Sequence, residues 1–143
     1  MQHGFAFTIH SIKQLKGYPN EVRVKLFQNF INYFKAGHDP SALPGKYKPD
    51  WEAKFVTSPM VQGFIDLAKE KNIHHYHFGY KMYEDGRDEK YPGNTSSGII
   101  HNRIEEDGTE TRHVIIEVCL KHPSPFKTPW NLYDDAALVE VAG

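Results

Sequence analysis

The stretch Ile73-His74-His75-Tyr76-His77-Phe78-Gly79-Tyr80 constrains the fold more than any other part of the chain. It is rich in aromatics and bounded by a Gly- and Asp-containing loop, so it reads as a β-strand. Alternate side chains of a strand share a face. Tyr76, Phe78 and Tyr80 therefore make one face, the natural core side, and His75 and His77 make the other. The two imidazoles sit two residue-rises apart, roughly 7 Å. Such a pair can hold a metal, exchange protons with a substrate, or lie wet on a sheet.

The flanking sequence supplies the layers that would cover the aromatic face. Phe5 to His10 alternates and predicts a first strand. After the turn Gly17-Tyr18-Pro19-Asn20, with Asn20 as a cap, the residues Val24, Phe27, Phe30, Ile31 and Phe34 predict one face of a helix ending at Gly37. His38 to Thr57 is a Pro-containing loop, too long for a simple connection, with Trp51 as its anchor. Ser58-Pro59 starts a second helix whose apolar face is Val61, Phe64, Ile65 and Ala68, and Asn72 closes it. Met82 to Thr95 is a further loop. Gly98–Ile104 and Thr111–Lys121 then pair as a hairpin across Asp107-Gly108, with Val114, Ile116, Val118 and Leu120 on one face. Pro123, Pro125 and Pro129 end that strand, and residues 131–141 read equally as a short helix or a strand. The order β-α-α-β-β-β predicts an α+β fold: an antiparallel sheet of about four strands with two helices packed on one face.

The chain has 143 residues, the size of a single domain spanning 1–143. It can bury a core without staples. Its one cysteine, Cys119, excludes an intrachain disulfide framework and reads as a small buried apolar group. No leader pattern or run of 18 apolar residues is present, so the expectation is a cytoplasmic protein with no membrane contact. Net charge is −1, but residues 1–83 carry eleven Lys/Arg against six Asp/Glu, and residues 84–143 carry six against twelve. The basic half suits a phosphate backbone, although lysine-bearing helix faces alone would also produce it. No phosphate-binding glycine motif occurs.

Three chemistries remain open for the histidines. A metal site would need His75, His77 and a third ligand such as His101, His113 or Glu84, as in a small cupin-like metal-binding protein. Cleavage of RNA without a metal would need a base for the ribose 2′-OH, an acid for the leaving oxygen and a cation for the developing charge. His75, His77 and His101 suit the first two roles and Arg103 the third, with Lys46, Lys48 and Lys54 on the long loop as RNA contacts. A non-catalytic interaction module would carry the same histidines as polar surface.

Four ordered blocks resemble the YafO-type toxins of bacterial toxin–antitoxin systems. These are Phe30–Gly37 with Leu43-Pro44-Gly45-Lys46-Tyr47, then His75-Tyr76-His77-Phe78, then Thr95–His101, and last Val114–Leu120 running into a Pro-rich tail. The resemblance covers roughly residues 25–130. It implies a compact toxin similar to the RelE-like group: a ribosome-dependent mRNA interferase, metal-free and without a cofactor, neutralised by a partner antitoxin. The family's His-x-His falls on His75 and His77. The chain departs from the pattern where Ser96 and Ser97 stand in place of an acidic residue. It departs again where the nearest histidine to the position around Phe126 is His122, and in its lack of a net basic charge.

Overall fold

A computed structural model describes residues 2–38, 43–52, 58–80, 83, 93–96, 98–106, 108–120 and 138–140. Strand β1 (Gln2–Thr8) runs directly into helix α1 (Ile9–Gly17). Helices α2 (Asn20–Leu26) and α3 (Asn32–Lys35) are joined through a π-bulge at Phe27–Ile31. Strand β2 (Tyr47–Pro49) leads into a 3₁₀ turn at Asp50–Glu52, and α4 (Pro59–Lys71) into β3 (Ile73–His77). The hairpin is β4 (Ile99–Glu106) and β5 (Glu110–Cys119), and β6 (Leu138–Glu140) is a three-residue edge.

The fold is α+β, but the sheet departs from the expected antiparallel four strands. Its order is β2-β3-β4-β5-β1-β6, five strands extended by the short β6. β1 pairs parallel with β5, from Gln2↔Glu110 to Phe7↔Ile115, so the sheet is mixed. β1 ends at Thr8 and α1 starts at Ile9 without an intervening turn. Thr8 begins that helix: its Oγ1 accepts from the Ser11 N–H at 3.1 Å, the N-cap geometry that ends the strand two residues before His10.

Helices also lie on both faces rather than one. Phe5, Phe7, Leu15, Leu26, Phe30, Phe34, Tyr76 and Ile115 form the main core under α1 to α3. Ala68 of α4 packs against Ile73 and Ile116, which point to the opposite face, with Trp51 closing the edge. Along the helical run of residues 20–35 the buried stripe is Val22, Leu26, Phe30, Ile31 and Phe34, while Val24 and Phe27 are exposed. The π-bulge explains the correction. The Asn32 N–H reaches back five residues to the Phe27 carbonyl, and this extra residue rotates the stripe part-way along. Asn20 is the first helical residue rather than the cap.

The second helix follows its local signals. Ser58 Oγ accepts from the Val61 N–H at 3.2 Å, Pro59 opens the helix, and Asn72 ends it at φ 56°. No helix among the described residues is long and apolar enough to cross a membrane. Lys54, Glu84, Asp107, the three hairpin-ending prolines and His122 lie outside the described residues.

Candidate active site

The histidine face is built as a grid by strand register. His75 of β3 lies opposite His101 of β4 and opposite Lys48 of β2, and His101 in turn lies opposite Glu117 of β5. One step along, His77 faces Ile99, and Ile99 faces Cys119. The His77 N–H donates to the Lys46 carbonyl at 3.1 Å, which sets Lys46 beside it. Gly45 allows that approach, since any side chain there would run into the His77 carbonyl. Tyr76 and Phe78 are fully buried on the other side, as the alternation predicts.

The residue that organises the site is Asp50, which carried no signal in the sequence. The 3₁₀ turn after β2 folds its carboxylate back between two rings. Oδ1 lies 2.6 Å from His75 Nδ1 and Oδ2 lies 2.7 Å from His101 Nδ1. Burial by itself would raise the Asp50 pKa, but the charge and hydrogen bond of His101 and the bond from His75 outweigh it and bring the value to about 2. The carboxylate is therefore ionised and can only accept, so both Nδ1 atoms carry hydrogen. Burial lowers the His101 pKa, yet the adjacent Asp50 charge and bond, with Glu117 behind, carry it above the ordinary value. This fixes the basic lone pair of each neutral ring on Nε2.

His77 is held differently. Its Nδ1 lies 3.0 Å from the Ser96 N–H and 2.8 Å from the Ser96 carbonyl oxygen. The nitrogen accepts from the first when bare and donates to the second when protonated, so the ring keeps a backbone partner in either state. The His75 and His77 ring centroids are 5.7 Å apart, and those of His75 and His101 are 6.2 Å apart.

Convergence of the three histidines is thus present, but exposure is not. His75 is 7% exposed, His77 3% and His101 1%. Arg103 shares their face, and its Nη2 donates at 3.2 Å to Glu105, two residues further along β4. Lys48 is buried in the row beside His75.

The metal set read from sequence is replaced by another. Among the described residues, the group whose ligand atoms lie within 4.8 Å of one another is His101, Glu117 and Cys119, not His75, His77 and His101. Cys119 is also not the fully buried apolar group expected, because it is partly exposed and its thiol donates to Glu117 Oε1 at 3.0 Å. His113 is removed from the list of ligands. It lies in the core, stacked on Phe5 with centroids 4.9 Å apart, and bonded to His3 and Asn102. Comparison with known proteins returns no match to a family model, a curated protein or a solved structure.

Proposed function

We propose that the protein is the toxin of a toxin–antitoxin pair, a ribosome-dependent mRNA endoribonuclease working by acid–base chemistry at His75 and His77. The observation that carries the reading is the Asp50 carboxylate bonded to Nδ1 of both His75 and His101. A carboxylate-held imidazole is fixed in orientation with its other nitrogen turned away from the carboxylate, which is what a general base requires. The choice of messenger RNA, the ribosome and an antitoxin partner rests on the resemblance of the ordered blocks alone.

In this scheme His75 Nε2 takes the proton from the ribose 2′-OH. The resulting oxygen attacks phosphorus, the bond to the 5′-oxygen breaks, and His77 Nε2 gives that oxygen a proton. The products are a 2′,3′-cyclic phosphate and a 5′-hydroxyl. Lys48 and Lys46, in the rows beside the two histidines, supply positive charge toward the phosphate. His101 acts through Asp50 as a positioning residue. Arg103, on the same face and bonded through Nη2 to Glu105 at 3.2 Å, stabilises the developing negative charge in this scheme. His75, at 7% the most exposed of the three rings, is the side from which RNA arrives in this scheme.

Induced expression arrests growth and truncates messages on translating ribosomes. His75→Gln and His77→Gln each lower cleavage by about 10²–10⁴-fold, the worth of one positioned acid or base. A folded, purified chain that leaves messages intact on translating ribosomes overturns the proposal. The complete burial of Asp50 favours a second reading, a structural clamp tying the long loop to the sheet. There the same variants lower the melting temperature and leave growth arrest unchanged per folded molecule.

A further inference from the structure

We infer that His101, Glu117 and Cys119 form a site for a single divalent transition-metal ion of the zinc type. The inference stands apart from the nuclease reading, since binding can be measured without RNA.

The site exists because of a bulge. The β4–β5 register shifts between His101 and Asn102: Asn102 faces Ile115, while His101 faces Glu117. Ile116 is the extra residue. Before it, His113 and Ile115 point to the main core; after it, Val118 and Leu120 do. Glu117 and Cys119 are thereby delivered to the histidine face, beside His101. Simple alternation would have grouped Val118 with Val114 and Ile116 instead.

Two observations point to a ligand. His101 Nε2 is fully buried and has no hydrogen-bond partner among the described residues. Leaving a buried polar nitrogen unpaired is costly, so a native chain ordinarily gives it something to bind. A ring nitrogen of His101, a carboxylate oxygen of Glu117 and the sulfur of Cys119 all lie within 4.8 Å of one another, and with Nδ1 held by Asp50 it is Nε2 that is left for an ion. The opposite nitrogen of the same ring donates to Asp50 at 2.7 Å. A carboxylate behind the imidazole is the outer-shell arrangement that fixes the tautomer of a metal-binding histidine. Close by, His10 Nε2 has no hydrogen bond among the described residues and lies 4.0 Å from the second Glu117 oxygen, within reach as a fourth donor.

A nitrogen, an oxygen and a sulfur together suit zinc, and the thiolate disfavours magnesium or calcium. On binding, Cys119 releases its thiol proton to solvent and its bond to Glu117 is replaced by bonds from sulfur and oxygen to the ion. Thiolate and carboxylate then balance the two positive charges, and the fourth position goes to water or His10.

The test uses the full chain, reduced and stripped with chelator, titrated with Co²⁺ and then with Zn²⁺. The expected result is one equivalent of Co²⁺ with a thiolate-to-cobalt charge-transfer band and tetrahedral ligand-field bands, both displaced by Zn²⁺. Cys119→Ser removes the charge-transfer band, and His101→Gln weakens binding more than tenfold. Cys119 is partly exposed, so the serine variant keeps the fold, and its unchanged far-ultraviolet circular dichroism verifies this. No binding, or binding whose spectrum and affinity are unaltered in folded Cys119→Ser, overturns the site.

Discussion

Two buried histidines of the same sheet carry opposite proton affinities, and their neighbours decide which. His113 lies among Phe5, Phe34 and His3; burial first, then the charges of His3 and His74, push its pKa down to about 3. It is neutral in the folded protein and titrates at 6.5 when unfolded. The unfolded chain therefore takes the proton first. The stability this histidine allows is complete above pH 6.5 and is lost as pH falls from there toward 3, at about 1.4 kcal/mol per unit. His113→Phe should flatten that acid slope in urea titrations at pH 7 and pH 5, removing on the order of 2 kcal/mol of the difference. The Asp50 bridge has the other shape. The lowered Asp50 value makes its stabilisation present above 3.8 and lost as pH falls to about 2. The raised His101 value makes its share present below 6.5 and lost as pH rises through the folded value. The bridge is thus strongest between about pH 4 and 6.5. Asp50→Asn leaves one imidazole N–H facing an amide donor, so the variant should lose about 3 kcal/mol in that window. A loss independent of pH would argue that the carboxylate is not the acceptor for both rings.

What could be read from the chain followed from how local each signal is. Helix α4 was legible from end to end because its cap, its first proline, its apolar stripe and its left-handed Asn72 all lie within 15 residues of one another. The face assignment of β3 was equally local, needing only alternation. Helix α1 was missed although Thr8 and the spacing of Ile9, Ile12 and Leu15 announce it, because the strand pattern through Phe7 continued past its true end. The two irregularities were invisible for a physical reason. A π-bulge or a β-bulge adds one residue without a residue type of its own, and everything after it changes face. In the helical run of residues 20–35 this makes a sharp contrast. Leu26→Ala, at a fully buried position, should cost about 2–5 kcal/mol. Val24→Ala, at a position half exposed, should stay within about 0.5 kcal/mol. Equal losses in thermal melts would return Val24 to the core face and remove the bulge.

At the scale of the molecule, the candidate site is a long-range product of the sheet. Asp50 lies 25 residues before His75 and 51 before His101, and each of the three comes from a different element. That separation is why the histidine pair was legible and its carboxylate was not: no spacing rule ties a loop aspartate to strands that follow a helix. The basic first half of the chain supplies β2 and β3, the acidic second half supplies β4 and β5, and the Asp50 bridge crosses the seam between them. β1 is locked in as well, paired with β5 on one side and β6 on the other, so the N-terminal strand lies inside the sheet. A site assembled from elements this far apart in sequence should open only with the sheet that joins them. The two Nδ1 protons on Asp50, buried and held at 2.6 and 2.7 Å, should give separate low-field proton signals in water, each abolished by Gln at its own histidine. On heating, both signals should disappear together with the far-ultraviolet signal of the sheet. Loss of either proton well below that temperature would mean that the loop carrying Asp50 detaches on its own, and the bridge would then be an opening latch rather than part of the fold.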